Sequence, residues 1–175
     1  FTWKDFQTRN NSELVAIFGN FINRAVVLTH KYYEGNVPDC GEILPQDQAV
    51  LDELHLFPKR VGDSIEKYRF REASQELLNL ARLGNKYLAD EEPWKRIKDA
   101  PERVPTIMHI ALQIAAALSS ICEPFLPHSA KKLRTILNID RPLAWKAIAE
   151  ESNLLPVGHT IGKQQLLFEK IEDTT

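Results

Sequence analysis

Methionine occurs once in this chain, at Met108, and the first residue is Phe1, so the sequence reads as a piece of a longer protein. Cysteine is almost as scarce. Cys40 and Cys122 stand alone, in no CxxC and in no Cys/His cluster. A disulfide framework or a structural zinc site is not expected, and a reducing compartment, the cytoplasm, is. The seven glycines form no phosphate-binding loop, and the five histidines (His30, His55, His109, His128, His159) lack ligand spacing and any HExxH pair. No apolar run is expected to reach the length of a membrane span, and no signal segment opens the chain. Neither charge sign dominates: 22 Lys and Arg face 24 Asp and Glu, a net charge of -2. That balance excludes a protein that coats nucleic acid by bulk electrostatics, but leaves room for a local basic site.

What remains is ordinary globular material, 43% hydrophobic and 26% charged, over a length that suits one domain with a real core. Its apolar residues recur at helical intervals. Leu14, Ile17, Phe18, Phe21, Ile22, Ala25 and Leu28 predict a long amphipathic helix, begun by the Asn10–Glu13 cap spacing and ended near Gly35. Before it, Trp3 and Phe6 read as anchors of a lead-in. "ILPQDQAVLDELHLF" predicts a short helix with Pro45 near its start. A third helix is expected from about 61 to 86, followed by a connection over 85–99. Pro101 starts the most apolar and so most central helix, through Cys122. Another helix follows Pro127, and a short one covers "LAWKAIA". The predicted fold is all-α: a helical bundle over 10–150 with an extended tail, 151–175, packing back on it.

Catalytic patterns are missing. Asp90, Glu91 and Glu92 cluster, but acid–base work needs a pocket that splits their pKa values, and a solvated acidic connection explains them. Two other features each allow two readings. Asn20 and Arg24 lie four apart on one helix face, with Asn23 and Lys31 alongside. Amide and guanidinium together can read the Watson–Crick edge of an unstacked base; equally, they can bond a neighbouring loop and a carboxylate. Trp94, after Pro93 in "ADEEPW", is either a core plug or a platform on which a base stacks. In the second case Lys95, Arg96 and Lys98 would hold phosphates beside it.

"LVAIFGNFINRAVVLTHKYYEGNVP", "YRFREASQELLNLARLGNKYLADEEPW", "CEPFLPHSAKKL" and "LLPVGHTIGKQQLLFEKIED" follow one another in this chain. Together they resemble the region after the catalytic domain of the methionyl-tRNA synthetases, and the resemblance covers essentially the whole sequence. The family's HIGH-like and KMSKS-like nucleotide signatures are missing; "HTIGK" and "PHSAKK" only echo them.

The resemblance implies an anticodon-binding domain of the class I synthetase type, with methionine tRNA and the catalytic domain of the same polypeptide as partners, and neither membrane nor DNA. It assigns edge reading to Asn20 and Arg24, with Asn23 the alternative on the same turn, and stacking to Trp94. Pro93 fixes the backbone before that ring, while Asn85 and Tyr87 shape the corner. Lys31, Lys95, Arg96 and Lys98 are its phosphate-contact candidates. The chain alone would have no cofactor and no catalysis. ATP and magnesium, with zinc a further candidate, would belong to the full-length enzyme, which attaches methionine to its tRNA. Two alternatives remain: the corresponding domain of a leucyl, isoleucyl, valyl or cysteinyl relative, and a helical protein-interaction module without an RNA role. Preference for a CAU stem-loop separates the first; salt-dependent RNA binding separates the second.

Overall fold

The computed structural model describes residues 1–173, and the last two tail residues lie outside the described part. It is all-helical, with no strand among the described residues. Helix α1 (Trp3–Arg9), a π-helical stretch (Asn10–Gly19) and α2 (Asn20–Tyr33) run on as one rod. The backbone stays right-handed helical at both joints, Asn10 and Asn20. At 1.5 Å per residue the rod is about 45 Å long. The expected start at Asn10 is therefore wrong: Thr2 caps the rod, its hydroxyl accepting from the Asp5 amide at 3.1 Å. Nor are Trp3 and Phe6 buried anchors. Both are exposed and stack on one another with ring centroids 5.5 Å apart. The rod ends where Glu34 (φ 53°) and Gly35 (φ 82°) turn left-handed. A side chain at position 35 would also strike the His30 ring, 2.9 Å away.

Helix α3 (Pro45–Glu66) is one long helix, not the short one expected. Pro58 lies inside it and cannot donate to the preceding turn. Leu54, Phe57, Pro58 and Val61 are all buried, so packing carries the helix past that lost bond. The break comes instead at Tyr68 (φ 58°), after which α4 (Phe70–Glu91) returns beside α3. The supposed connection is thus the end of α4 and a separate helix α5 (Pro93–Asp99). A single 3₁₀ turn, Pro101–Arg103, leads into α6 (Val104–Ile121); α7 (Pro127–Leu137) and α8 (Trp145–Glu150) complete the bundle. Every residue of α6 except Pro105 is buried. The stretch Pro101–Ile121 is, by length and mean hydropathy, apolar enough to cross a bilayer, contrary to the expectation that no such run exists. Its environment explains its composition: it is the core helix around which the others pack. Cys122 closes this helix, with burial pushing its thiol up to about 12.

Two contacts of the core bear on the site. Phe21 of α2 is fully buried and packs directly against Gly84 of α4, where an added Cβ would stand 2.3 Å from the ring. The two helices approach as closely as they do because position 84 has no side chain. The tail, beyond α8, is held by Gln113 of α6. Its amide accepts from the Leu155 N–H at 2.9 Å and donates to the Leu155 carbonyl at 3.0 Å. The tail then crosses the end of α2, pairing Thr160 with Asn36, and runs antiparallel down the rod. His30 meets Gly162, Asn23 meets Gln164, Phe18 meets Phe168, and Asn11 meets Ile171.

Candidate nucleic-acid interface

The close approach at Gly84 sets its neighbour Asn85 against the rod. The Asn85 side chain donates to the Ile17 carbonyl at 2.9 Å and accepts from the Asn20 amide at 3.3 Å. That Ile17 carbonyl belongs to the π-helical stretch, where backbone bonds reach further back than in an α-helix. Asn20 itself is exposed, with capacity left for another partner. One turn on, Arg24 places its guanidinium over the Trp94 ring, 4.8 Å from the centroid. Trp94 is half-buried: it packs against the core and also meets Arg24. Four residues from three elements (α2, α4 and α5) thus share one rim.

Trp94 is held there by its own local geometry. Glu92 takes a left-handed conformation (φ 46°), ending α4, and Pro93 is buried as the first residue of α5. Beneath this corner lies a polar cluster that the sequence reading did not contain. Asp47, fully buried at the start of α3, receives the Arg103 guanidinium through both terminal nitrogens. Tyr87 donates to the same carboxylate at 2.7 Å, and the Leu44 amide at 2.9 Å. Burial alone would raise the Asp47 pKa, but the hydrogen bonds from Arg103, Tyr87 and Leu44 outweigh it and hold the carboxyl below its ordinary value. Tyr87 is pushed strongly upward, by burial and then by its bond to Asp47. Tyr87 accordingly acts on the corner through Asp47 and not on its surface.

Glu91 corrects the reading of "ADEE" as a solvated connection. It is buried, and its carboxylate lies between Arg103 at 3.3 Å and Arg96 at 3.5 Å. Asp90 and Glu92 do face solvent, paired with Lys86 and Lys95. Arg96 also donates to the Glu91 carbonyl at 2.5 Å, so much of its donor capacity is spent on the end of α4. Lys95 and Lys98 are exposed beside Trp94 on α5. Lys31 is exposed on α2, its ammonium 5.6 Å from the centre of the Tyr32 ring. Asn23 faces the tail and accepts from Gln164 at 2.7 Å. No signal in the sequence joins Asp47 to Arg103, which are 56 residues apart; an acid in the first turn of α3 reads as a cap, which it also is. Among the described residues no three His, Cys, Asp or Glu side chains gather as a metal site.

A family model described as the anticodon binding domain of methionyl tRNA ligase matches residues 37–175. The methionine–tRNA ligase of Flavobacterium psychrophilum is 60% identical over 173 residues, 99% of this chain and 25% of its own length. That of Christiangramia forsetii is 60% identical over 178 residues, 99% of this chain and 26% of its own. The chain thus spans about a quarter of the length of these curated relatives. A crystal structure of Mycobacterium tuberculosis methionyl-tRNA synthetase in its free state superposes with a TM-score of 0.91. It covers 99% of this chain and 36% of that one at 21% identity, a likeness of fold. With the fold, the rim and these matches together, the chain belongs to the family of methionyl-tRNA ligase anticodon-binding domains.

Proposed function

We propose that this chain recognises the CAU anticodon of methionine tRNA, on behalf of a cytoplasmic ligase that joins methionine to that tRNA at the expense of ATP. The observation that supports this reading is the shared rim: Trp94 and Arg24 stacked at 4.8 Å, with Asn20 and Asn85 beside them. Single-stranded loops are recognised by splaying bases out, stacking them on aromatics and bonding their edges. Trp94 supplies the stacking surface, and its packed underside keeps the ring from rotating away. Arg24 covers that surface in the free protein. A base arriving there takes the guanidinium's place and leaves its planar donors free for a base edge or phosphate. Asn20 offers both a donor and an acceptor. Lys31, Lys95 and Lys98 lie on the surrounding surface as phosphate partners, while Arg96 contributes mainly by holding α5. ATP, magnesium and any zinc fall to the remainder of a full-length enzyme, and this chain takes no chemical step.

The test is a competition titration of the chain against anticodon stem-loops carrying CAU or altered triplets. Trp94→Ala should weaken CAU binding by about 1–3 kcal/mol, roughly 5- to 150-fold. Equal binding by the folded variant and the wild type would remove Trp94 from the site.

A further inference from the structure

We infer that the C-terminal tail supplies one bank of the RNA-binding surface, with Lys163 of the tail and Lys31 of α2 gripping a phosphate together. This rests on the anticodon reading above, which already counts Lys31 as a phosphate partner, and extends it to Lys163 and the tail, which that reading does not assign.

Three observations lead to it. First, Asn20, Arg24, Val27 and Lys31 fall within one narrow stripe along α2, because steps of three, four and seven residues return to the same face. Lys31 therefore lies about 10 Å along the helix from Arg24, on the face that carries the rim. Second, the tail borders this stripe on the side away from Trp94. Gln164 is fixed by its 2.7 Å bond to Asn23, and Gly162 by the His30 ring, 2.7 Å from its carbonyl. Lys163 lies between these two fixed points, so its backbone is held although its side chain is exposed. Third, Lys31 and Lys163 line one open depression together with Val27, His30 and Gln164, and no carboxylate takes part in it. Among the described residues neither lysine belongs to an ion pair, whereas Lys59, Lys86 and Lys95 each have an acidic partner within 3 Å.

Two like charges on a shared concavity repel unless an anion joins them, and a ribose-phosphate backbone leaving the Trp94 rim would meet that concavity next. The patch is open and shallow, which suits a backbone passing over it. Phosphate contacts of this kind position the strand and carry no sequence information. The tail would then belong to the recognition surface as well as to the fold.

The experiment is a salt titration of the same stem-loop binding with Lys31→Gln, Lys163→Gln and the double variant. Lys146→Gln, on α8, serves as a control for general charge. Each of the Lys31 and Lys163 substitutions should lower the slope of log affinity against log salt by about 0.7, and the pair by about 1.4. At moderate salt the double variant should bind about 3- to 10-fold more weakly. Its discrimination between CAU and other triplets should stay as in the wild type. Wild-type slopes in the lysine variants, or the same change in Lys146→Gln, would overturn the inference. So would lost affinity at an unchanged slope, which would mean a contact other than phosphate. Trp94→Ala, run alongside, separates the two claims. If it loses binding while the lysine variants do not, the tail surface alone fails; if it binds normally, the anticodon reading fails with it.

Discussion

Replacing Arg103 by methionine tests the polar cluster under the Trp94 corner. The guanidinium neutralises two buried carboxylates at once: the Asp47 side chain is 0% exposed and the Glu91 side chain 6%. Methionine fills a similar volume without charge, so the variant leaves Asp47 with only Tyr87 and the Leu44 amide. Glu91 keeps Arg96 at 3.5 Å. Removing one partner of a buried pair costs about 3–5 kcal/mol, because the remaining charge stays out of water uncompensated. That is a large share of a total stability of about 5–15 kcal/mol. With a urea dependence of about 2 kcal/mol per molar, the unfolding midpoint should fall by roughly 1.5–2.5 M at pH 7.

The pH dependence makes the prediction specific. In the wild type, Asp47 titrates below its ordinary value of about 3.9, so the stability it contributes is present above that value and is lost as the pH falls through the folded one. Without Arg103 the largest of the lowering influences is gone, and the folded value moves upward. Acid therefore takes less stability from the variant than from the wild type, which loses its Arg103 bonds as Asp47 protonates. The stability gap should narrow steadily from pH 7 to pH 4, read by urea unfolding followed by circular dichroism. A loss below about 1 kcal/mol, or one that does not change with pH, would refute the account of the cluster.

Two further substitutions probe the same corner. Tyr87 resists ionisation when folded, so the wild type should lose stability as the pH rises past about 10, where the unfolded chain releases its proton and the folded one does not. Tyr87→Phe should cost about 1.5–3 kcal/mol at pH 7 through the lost bond to a carboxylate, and should flatten that alkaline decline; an unchanged decline would point to another group. Gly84→Ala should lower the melting midpoint by several degrees, since overpacking against Phe21 costs about 1–3 kcal/mol or more and better helix propensity offsets only about 1. It should also weaken stem-loop binding by moving Asn85 away from Asn20; a variant that melts higher than the wild type would refute the close contact.

The course of the fold was legible because helical periodicity is a local property. The apolar steps from Leu14 to Leu28, the composition of α6 and the short helix at Trp145 all appear in the structure. The boundaries were less so, and for an identifiable reason. Pro58 is a strong local signal for a stop, and its own burial with Leu54, Phe57 and Val61 overrides it; Tyr68, a poor local signal, marks the actual break because the chain must reverse there. Likewise Asn10 has the type and spacing of a cap, yet it sits inside a continuous rod. Its side chain instead donates to the Glu169 carbonyl of the tail, 159 residues away. Such a partner has no trace in a local window.

The site shows the same division more sharply. Read along the chain, Trp94 is either a core plug or a stacking platform, and Arg24 either pairs internally or reaches for a base. In three dimensions these alternatives are compatible. Trp94 packs on the core, and it is the internal partner of Arg24. An aromatic ring has two faces, and burial of part of it supplies the rigidity that a stacking surface requires. The guanidinium that covers the ring also keeps it from presenting bare apolar surface to water when no base is bound. Under the anticodon reading proposed above, Arg24 gives way to a group that stacks at least as well, and a planar nucleobase meets that condition where an aliphatic side chain does not. The part of the corner that was invisible in the sequence is its footing: Asp47, Arg103 and Glu91, from three separate stretches of chain, fix the corner on which the ring is mounted.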